Sequence, residues 1–244
     1  MFRNKILDRI RKGEKALGLS MSDPSEELVE LAGRIGLDFV FFDGQHSPLT
    51  PERVGTLCRI ADGFDITPTM RIPDGQESTI LSYLDRGIRQ ITVPNLLTKQ
   101  EAEDMVKFTF FQPVGLRSST SIPMVLHQDG ASRAELFAQA NANIVIVPQI
   151  ENVKTVDALE DILTVDGIDY FGGGPEDMAQ SLGLPGGHAD PRVEEAYDRA
   201  RAKLKAAGKF WWADHTESVD IFGLTKGALE EMLESHGRKS EMGW

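Results

Sequence analysis

The chain has 244 residues, 41% of them hydrophobic and 26% charged, enough apolar material for a large α/β core and too much for a disordered chain. Its formal net charge of −12 excludes nucleic acid and an anionic membrane as principal partners, because both select a basic footprint. The single cysteine, Cys58, excludes an intrachain disulfide; set in an apolar helical pattern with Val54 and Leu57, it is expected to be buried and inert.

Phe2, Ile6, Leu7 and Ile10 recur at helical spacing between charges, so the first residues read as a short amphipathic helix covering one end of a domain. No continuous apolar stretch is present there, so neither a signal peptide nor a membrane span is expected, and the protein is read as soluble and cytoplasmic. Strands and helices then alternate. Residues 15–21 form a first strand, and Ser22-Asp23-Pro24 opens a helix running to about Gly36. A second strand covers 37–42, and Thr50-Pro51-Glu52 starts the next helix. Strands at 66–71 and 90–93 are followed by helices at 76–85 and 99–108. The stretch 111–130 is irregular and longer than an ordinary connection, which marks it as functional. After a helix over 132–141 comes the β-branched run 144–150, the clearest buried strand. A helix over 154–163, a strand at 168–171 and a helix from 175 to 182 continue the pattern.

Strands separated by helices imply parallel pairing with right-handed crossovers. Their number and the chain length fit a (β/α)8 TIM barrel, one domain spanning 1–244 and ending in a C-terminal helix. An open doubly wound sheet fits less well, because the first strand ends in Met21-Ser22-Asp23-Pro24 with no glycine-rich turn. The last units break the pattern. Residues 209–213 read as a seventh strand, 219–222 as an eighth, and 226–234 as a helix. The five residues 214–218 cannot hold a crossover helix, which needs about ten or more. The barrel is therefore expected to be irregular or truncated around strands seven and eight.

Active-site groups of a parallel barrel project from the carboxyl ends of its strands. Here those ends carry Asp43 and His46, Arg71, Pro94-Asn95, Gln149-Ile150-Glu151 and Gly172-Gly173-Gly174-Pro175-Glu176-Asp177. Singly, each has an ordinary explanation: a surface ion pair for Arg71, a helix cap for Glu151, a dipole partner for Asp177. Their shared position on successive strands points to one site.

On these pieces the sequence resembles the HpcH/HpaI aldolase family. The matching stretches are Phe42-Asp43-Gly44-Gln45-His46, Arg71-Ile72-Pro73, Val93-Pro94, Pro113-Val114-Gly115-Leu116-Arg117, Gln149-Ile150-Glu151-Asn152 and Gly174-Pro175-Glu176-Asp177-Met178. The resemblance covers the chain to about Gly208 and implies a metal-dependent pyruvate aldolase on a (β/α)8 barrel, cleaving or forming 4-hydroxy-2-oxoacids from pyruvate and an aldehyde. It implies metal ligation by Glu151 and Asp177, and two carboxylates suit a hard divalent ion, Mg²⁺, Mn²⁺ or Co²⁺. By the same resemblance Arg71 hydrogen-bonds the keto or enolate oxygen. His46 transfers a proton, with Asp43 orienting its imidazole. Gln149, Gly174 and Pro175 border the 2-oxoacid, and Asp85 and Gln45 stand behind these groups. Gln45 replaces a glutamate common in relatives. The family's last helix packs on a neighbouring subunit, so a homo-oligomer, trimer or hexamer, is expected. Two other outcomes stay open: oxaloacetate- or citrate-type carbon–carbon lyase chemistry, and a non-catalytic metabolite-binding protein. A Schiff-base aldolase is disfavoured, since Lys99, Lys107 and Lys154 fall on helices and Lys209 begins a strand.

Overall fold

The computed structural model describes residues 2–119 and 123–242. Its first half alternates α1 (Lys5–Arg11), β1 (Ala16–Met21), α2 (Glu26–Arg34), β2 (Phe39–Asp43), α3 (Pro51–Gly63), β3 (Thr67–Arg71), α4 (Glu77–Leu84), β4 (Gln90–Val93) and α5 (Lys99–Thr109). Then follow α6 (Arg133–Asn143), β5 (Val145–Ile150), α7 (Val153–Ile162), β6 (Tyr170–Gly173), α8 (Pro175–Ser181) and α9 (Pro191–Ala206). The chain closes with β7 (Phe210–Trp211), β8 (Thr216–Asp220) and α10 (Ile221–Ser235). Between α5 and α6 the expected irregular stretch holds a 3₁₀ turn at Met124–Leu126; its residues 120–122 lie outside the described residues.

Side-chain oxygens start most of the helices. Asn4 accepts from the N–H groups of Ile6 and Leu7, Thr50 caps α3, and Thr98 and Ser132 form capping boxes with Glu101 and Glu135. The strands pair in parallel in the order β7-β6-β5-β4-β3-β2-β1-β8. That is the cyclic order of a TIM barrel cut between its seventh and eighth strands. The expected irregularity at this seam is present: a 3₁₀ turn at Trp212–Asp214 stands where a crossover helix would run.

The eighth strand differs from the expected 219–222. It occupies Thr216–Asp220, in register with β1 from Ala16↔Thr216 to Ser20↔Asp220. Ile221 and Phe222, whose apolar character suggested a strand, begin α10 instead, because the Asp220 carboxylate caps the helix by accepting from Gly223 N–H at 2.7 Å. Pairing with β1 outweighs the local apolar pattern, since no residue of β8 is buried and the strand gains no core face.

Strand side chains alternate between lumen and helices. Val40, Phe42, Met70, Ile91, Ile146 and Ile150 face outward into the main core. At about 1.5–3 kcal/mol per fully buried large apolar side chain, this ring is one part of a larger apolar core that drives folding. The amino end of the barrel is plugged by Ile6, Ala16 and Phe39, against which Ile10, Phe41 and Trp212 pack. The carboxyl end stays open. Among the described residues no helix is long and apolar enough to cross a membrane.

Candidate active site

The register Asp43↔Arg71 places an acid and a guanidinium on neighbouring strands at the open end. Arg71 donates to both carboxylate oxygens of Asp43, from Nε to Oδ1 at 3.0 Å and from Nη2 to Oδ2 at 2.5 Å. This two-point fork fixes the plane of the guanidinium. Oδ1 also accepts from the backbone N–H groups of Gln45 and His46, at 3.1 and 3.4 Å, which pins the turn that carries the histidine. Burial works to raise the Asp43 carboxyl, but the Arg71 fork and the two N–H groups more than offset it, holding it below the usual carboxylate range.

The Asp43 carboxylate is thus committed to Arg71 and the backbone. It does not orient the His46 imidazole: the histidine is exposed at the mouth, and its ring has no hydrogen bond among the described residues. Gln45 is half-buried beside it, with a buried Oε1 that has no partner among the described residues.

Opposite lies the carboxylate pair. Glu151 follows β5 and is 2% exposed. Its Oε1 accepts from Asn95 N–H at 2.7 Å, and Asn95 holds a left-handed φ of 56° to deliver that donor. Oε2 is buried with no hydrogen-bond partner among the described residues. Burial raises the Glu151 carboxyl above its ordinary range, the charge of Asp177 adds to the rise, and Asn95 N–H and Arg71 oppose it. Asp177 sits in the exposed first turn of α8.

Gln149 donates from Nε2 to the Gly173 carbonyl at 3.0 Å, leaving its own Oε1 buried and unpartnered among the described residues. Gly174 lets the chain pass close: a Cβ there would lie 2.4 Å from Glu151 Oε2. Its N–H donates to the Tyr197 hydroxyl at 3.0 Å, so a buried tyrosine of α9 fixes the loop between the two carboxylates. Sequence reasoning missed Tyr197. An aromatic residue on the buried face of a helix carries the same pattern as any core residue, and no signal along the chain separates the two.

Asp85 stands apart from this group. It caps α4 and pairs with Arg117 at 2.5 Å, the arginine lying fully buried over the Phe111 ring at 4.7 Å. This pair anchors the loop after α5 to the barrel. Pro175 opens α8, and no side chain caps that helix.

The residues fit a divalent ion. A buried carboxylate oxygen without a partner, beside a second carboxylate and next to a glycine that leaves it room, is the oxygen donor set of a hard cation. No group of three or more His, Cys, Asp or Glu side chains gathers among the described residues.

A guanidinium locked beside a carboxylate pair, Glu151 buried and Asp177 exposed, at the carboxyl mouth of a parallel barrel is an arrangement for stabilising an enolate, as carbon–carbon lyases do. The sequence profile of the HpcH/HpaI aldolase/citrate lyase family matches residues 17–222. The 2-keto-3-deoxy-L-rhamnonate aldolase of Escherichia coli is 30% identical over 207 residues, which are 84% of this chain and 77% of that one. The crystal structure of the citrate synthase SbnG superposes with a TM-score of 0.84 at 26% identity, covering 97% of this chain and 98% of that one. An HpcH/HpaI aldolase from Desulfitobacterium hafniense DCB-2 has the same fold, with a TM-score of 0.86 at 21% identity over 98% of each chain. The chain belongs to the HpcH/HpaI aldolase/citrate lyase family, and it is a carbon–carbon lyase of the class II pyruvate aldolase kind.

Proposed function

We propose that Arg71, His46, Gln149 and the Glu151–Asp177 pair make and use the enolate of pyruvate, joining it to an aldehyde or releasing one from a 4-hydroxy-2-oxoacid. The observation that carries this reading is the Asp43–Arg71 fork facing a buried Glu151 whose Oε2 has no protein partner. Enzymes of this family depend on a divalent metal. Here Glu151 and Asp177 hold Mg²⁺, Mn²⁺ or Co²⁺, which supplies Lewis acidity to the bound 2-oxoacid. Arg71 directs donors at the keto oxygen, where negative charge grows as a proton leaves the methyl group. Held rigid by Asp43, it needs little reorganisation as that charge develops. The free His46 ring at the mouth moves a proton to or from the acceptor oxygen. Gln149, with the Gly174–Pro175 backbone, borders the carboxylate end of the substrate.

The test is pyruvate in D₂O with and without Mn²⁺, followed by loss of the methyl proton signal. Exchange that requires the metal, and that disappears in Glu151→Gln, is expected. Normal Mn²⁺ binding without any exchange would overturn the proposal. The 26% identity and full-length likeness to a citrate synthase favour one further reading, in which the same enolate chemistry serves a citrate-type reaction.

A homo-oligomer in the cytoplasm completes the proposal. No residue of α10 is buried, and Phe222, Leu224, Leu229 and Met232 are each more than half exposed, an apolar surface suited to a second copy of the chain. Light scattering should give a mass above that of one 26.9 kDa chain.

A further inference from the structure

We propose that the lumen of the barrel beneath Arg71 is the acceptor subsite, and that it takes an aldehyde bearing an aromatic ring. This rests on the aldolase reading above. A TIM barrel ordinarily fills its interior with layers of bulky branched side chains. Here Ser20, Thr92, Gly172 and Ser218 occupy lumen positions, and a cavity of about 360 Å³ remains. That lies within the range of small-molecule pockets, about 300–1,000 Å³.

Arg71 and Gln149 line this cavity as well as the catalytic mouth. A molecule whose carbonyl meets the enolate carbon beside Arg71 can therefore extend its remaining atoms into the lumen. Phe41, Val147, Trp211 and Trp212 present apolar and aromatic surface to it. Trp212 is itself held edge-on by Tyr170, with ring centroids 5.2 Å apart. Flat rings with fixed orientation favour a planar apolar guest in offset or edge-to-face contact. Arg71 is the one charged side chain among the described residues lining the cavity, and Asp43 already holds it. A phosphorylated or carboxylated acceptor tail would meet no further charge partner there. The missing β7–β8 pairing leaves Trp211 on one side of the seam and Thr216 and Ser218 on the other, so the cavity reaches the gap in the barrel wall.

The reaction balances without any further reagent. Pyruvate loses one methyl proton, the resulting enolate carbon donates its electron pair to the aldehyde carbon, and a carbon–carbon bond forms. The aldehyde π pair moves to its oxygen, which takes up one proton, giving a 4-aryl-4-hydroxy-2-oxobutanoate.

Two measurements test the assignment. Benzyl alcohol, an aromatic probe that cannot react, should change the tryptophan fluorescence of the parent protein saturably in the absence of metal, because Trp211 and Trp212 line the cavity. Ser20→Phe fills the lumen from β1, outside the residues assigned to pyruvate. It should abolish that response and lower kcat/KM for benzaldehyde addition about tenfold or more, while pyruvate deuterium exchange and glycolaldehyde addition stay within about threefold. Ser218→Phe, from β8 at the edge of the seam and paired beside β1, should act the same way and guards against one variant failing to fold. A parent protein that exchanges pyruvate deuterium but shows no saturable probe response, or adds benzaldehyde no better than glycolaldehyde, overturns the subsite. So does a lumen-filling variant that leaves benzaldehyde turnover unchanged. A parent protein that binds metal normally but does not exchange pyruvate deuterium refutes the aldolase reading instead.

Discussion

Gly174→Ala isolates one contact in the site. The backbone at Gly174 has φ −140° and ψ 93°, a conformation open to alanine, so the substitution introduces no backbone strain. It does introduce a Cβ 2.4 Å from Glu151 Oε2 and 3.3 Å from Gln149 Nε2. A carbon–oxygen contact settles at about 3.3 Å or beyond, so the carboxylate must retreat by about 1 Å. It cannot do so freely, because Oε1 is tied to Asn95 N–H at 2.7 Å and the side chain is 2% exposed. A displacement of that size at a reacting centre costs about 10²-fold in rate. Disturbing the support of a metal ligand costs about 10- to 100-fold in affinity. Calorimetric titration with Mn²⁺ should therefore show weakening in that range, and pyruvate deuterium exchange should fall about 10²-fold. Mn²⁺ affinity and exchange both within about twofold of the parent, in a variant of unchanged thermal midpoint, would refute the claim that this glycine makes room for a metal-binding carboxylate.

Arg71→Lys keeps the charge but cannot reproduce the fork to Asp43, so exchange should drop by about 10²-fold or more in single-turnover measurements with little change in Mn²⁺ affinity. The Asp43–Arg71 pair also sets an acid limit on stability. Because the folded Asp43 carboxyl titrates below its unfolded value of about 3.9, its contribution is fully present above that pH and is lost as pH falls through the folded value. Asp43→Asn should lower stability by about 3 kcal/mol at pH 7, and urea titrations should show the gap to the parent closing below about pH 4.

How far the chain announces this structure depends on where the information sits. Residues 144–150 were readable as a strand because the strand is buried on both faces and its run of apolar residues records that. β8 was misplaced by three residues because it is buried on neither face, and only the ladder to β1 defines it. The seam was legible from length alone, since five residues cannot contain a helix. Asp43, Arg71, Glu151 and Asp177 could be placed at one end of the barrel because parallel strands deliver their carboxyl ends to one face. Partner choice was not legible. That Asp43 serves Arg71 rather than His46 follows from cross-strand register, and that Tyr197 holds Gly174 follows from the packing of α9.

The cut between β7 and β8 alters how the domain holds together. In a closed ring each strand is retained by two neighbours, and none can leave without opening the wall on both sides. Here β8 is retained by β1 alone, and α10, with no buried residue, adds little to hold it. The carboxyl-terminal strand and helix can detach as a unit without breaking any ladder among β1 to β7. Where no second copy covers α10, their amides should exchange with solvent through a cheap local opening, while those of β2 to β5, which carry or adjoin the site, exchange only with far larger disruption. Loss of the ring thus divides the barrel into a cooperative catalytic wall and a hinged final segment.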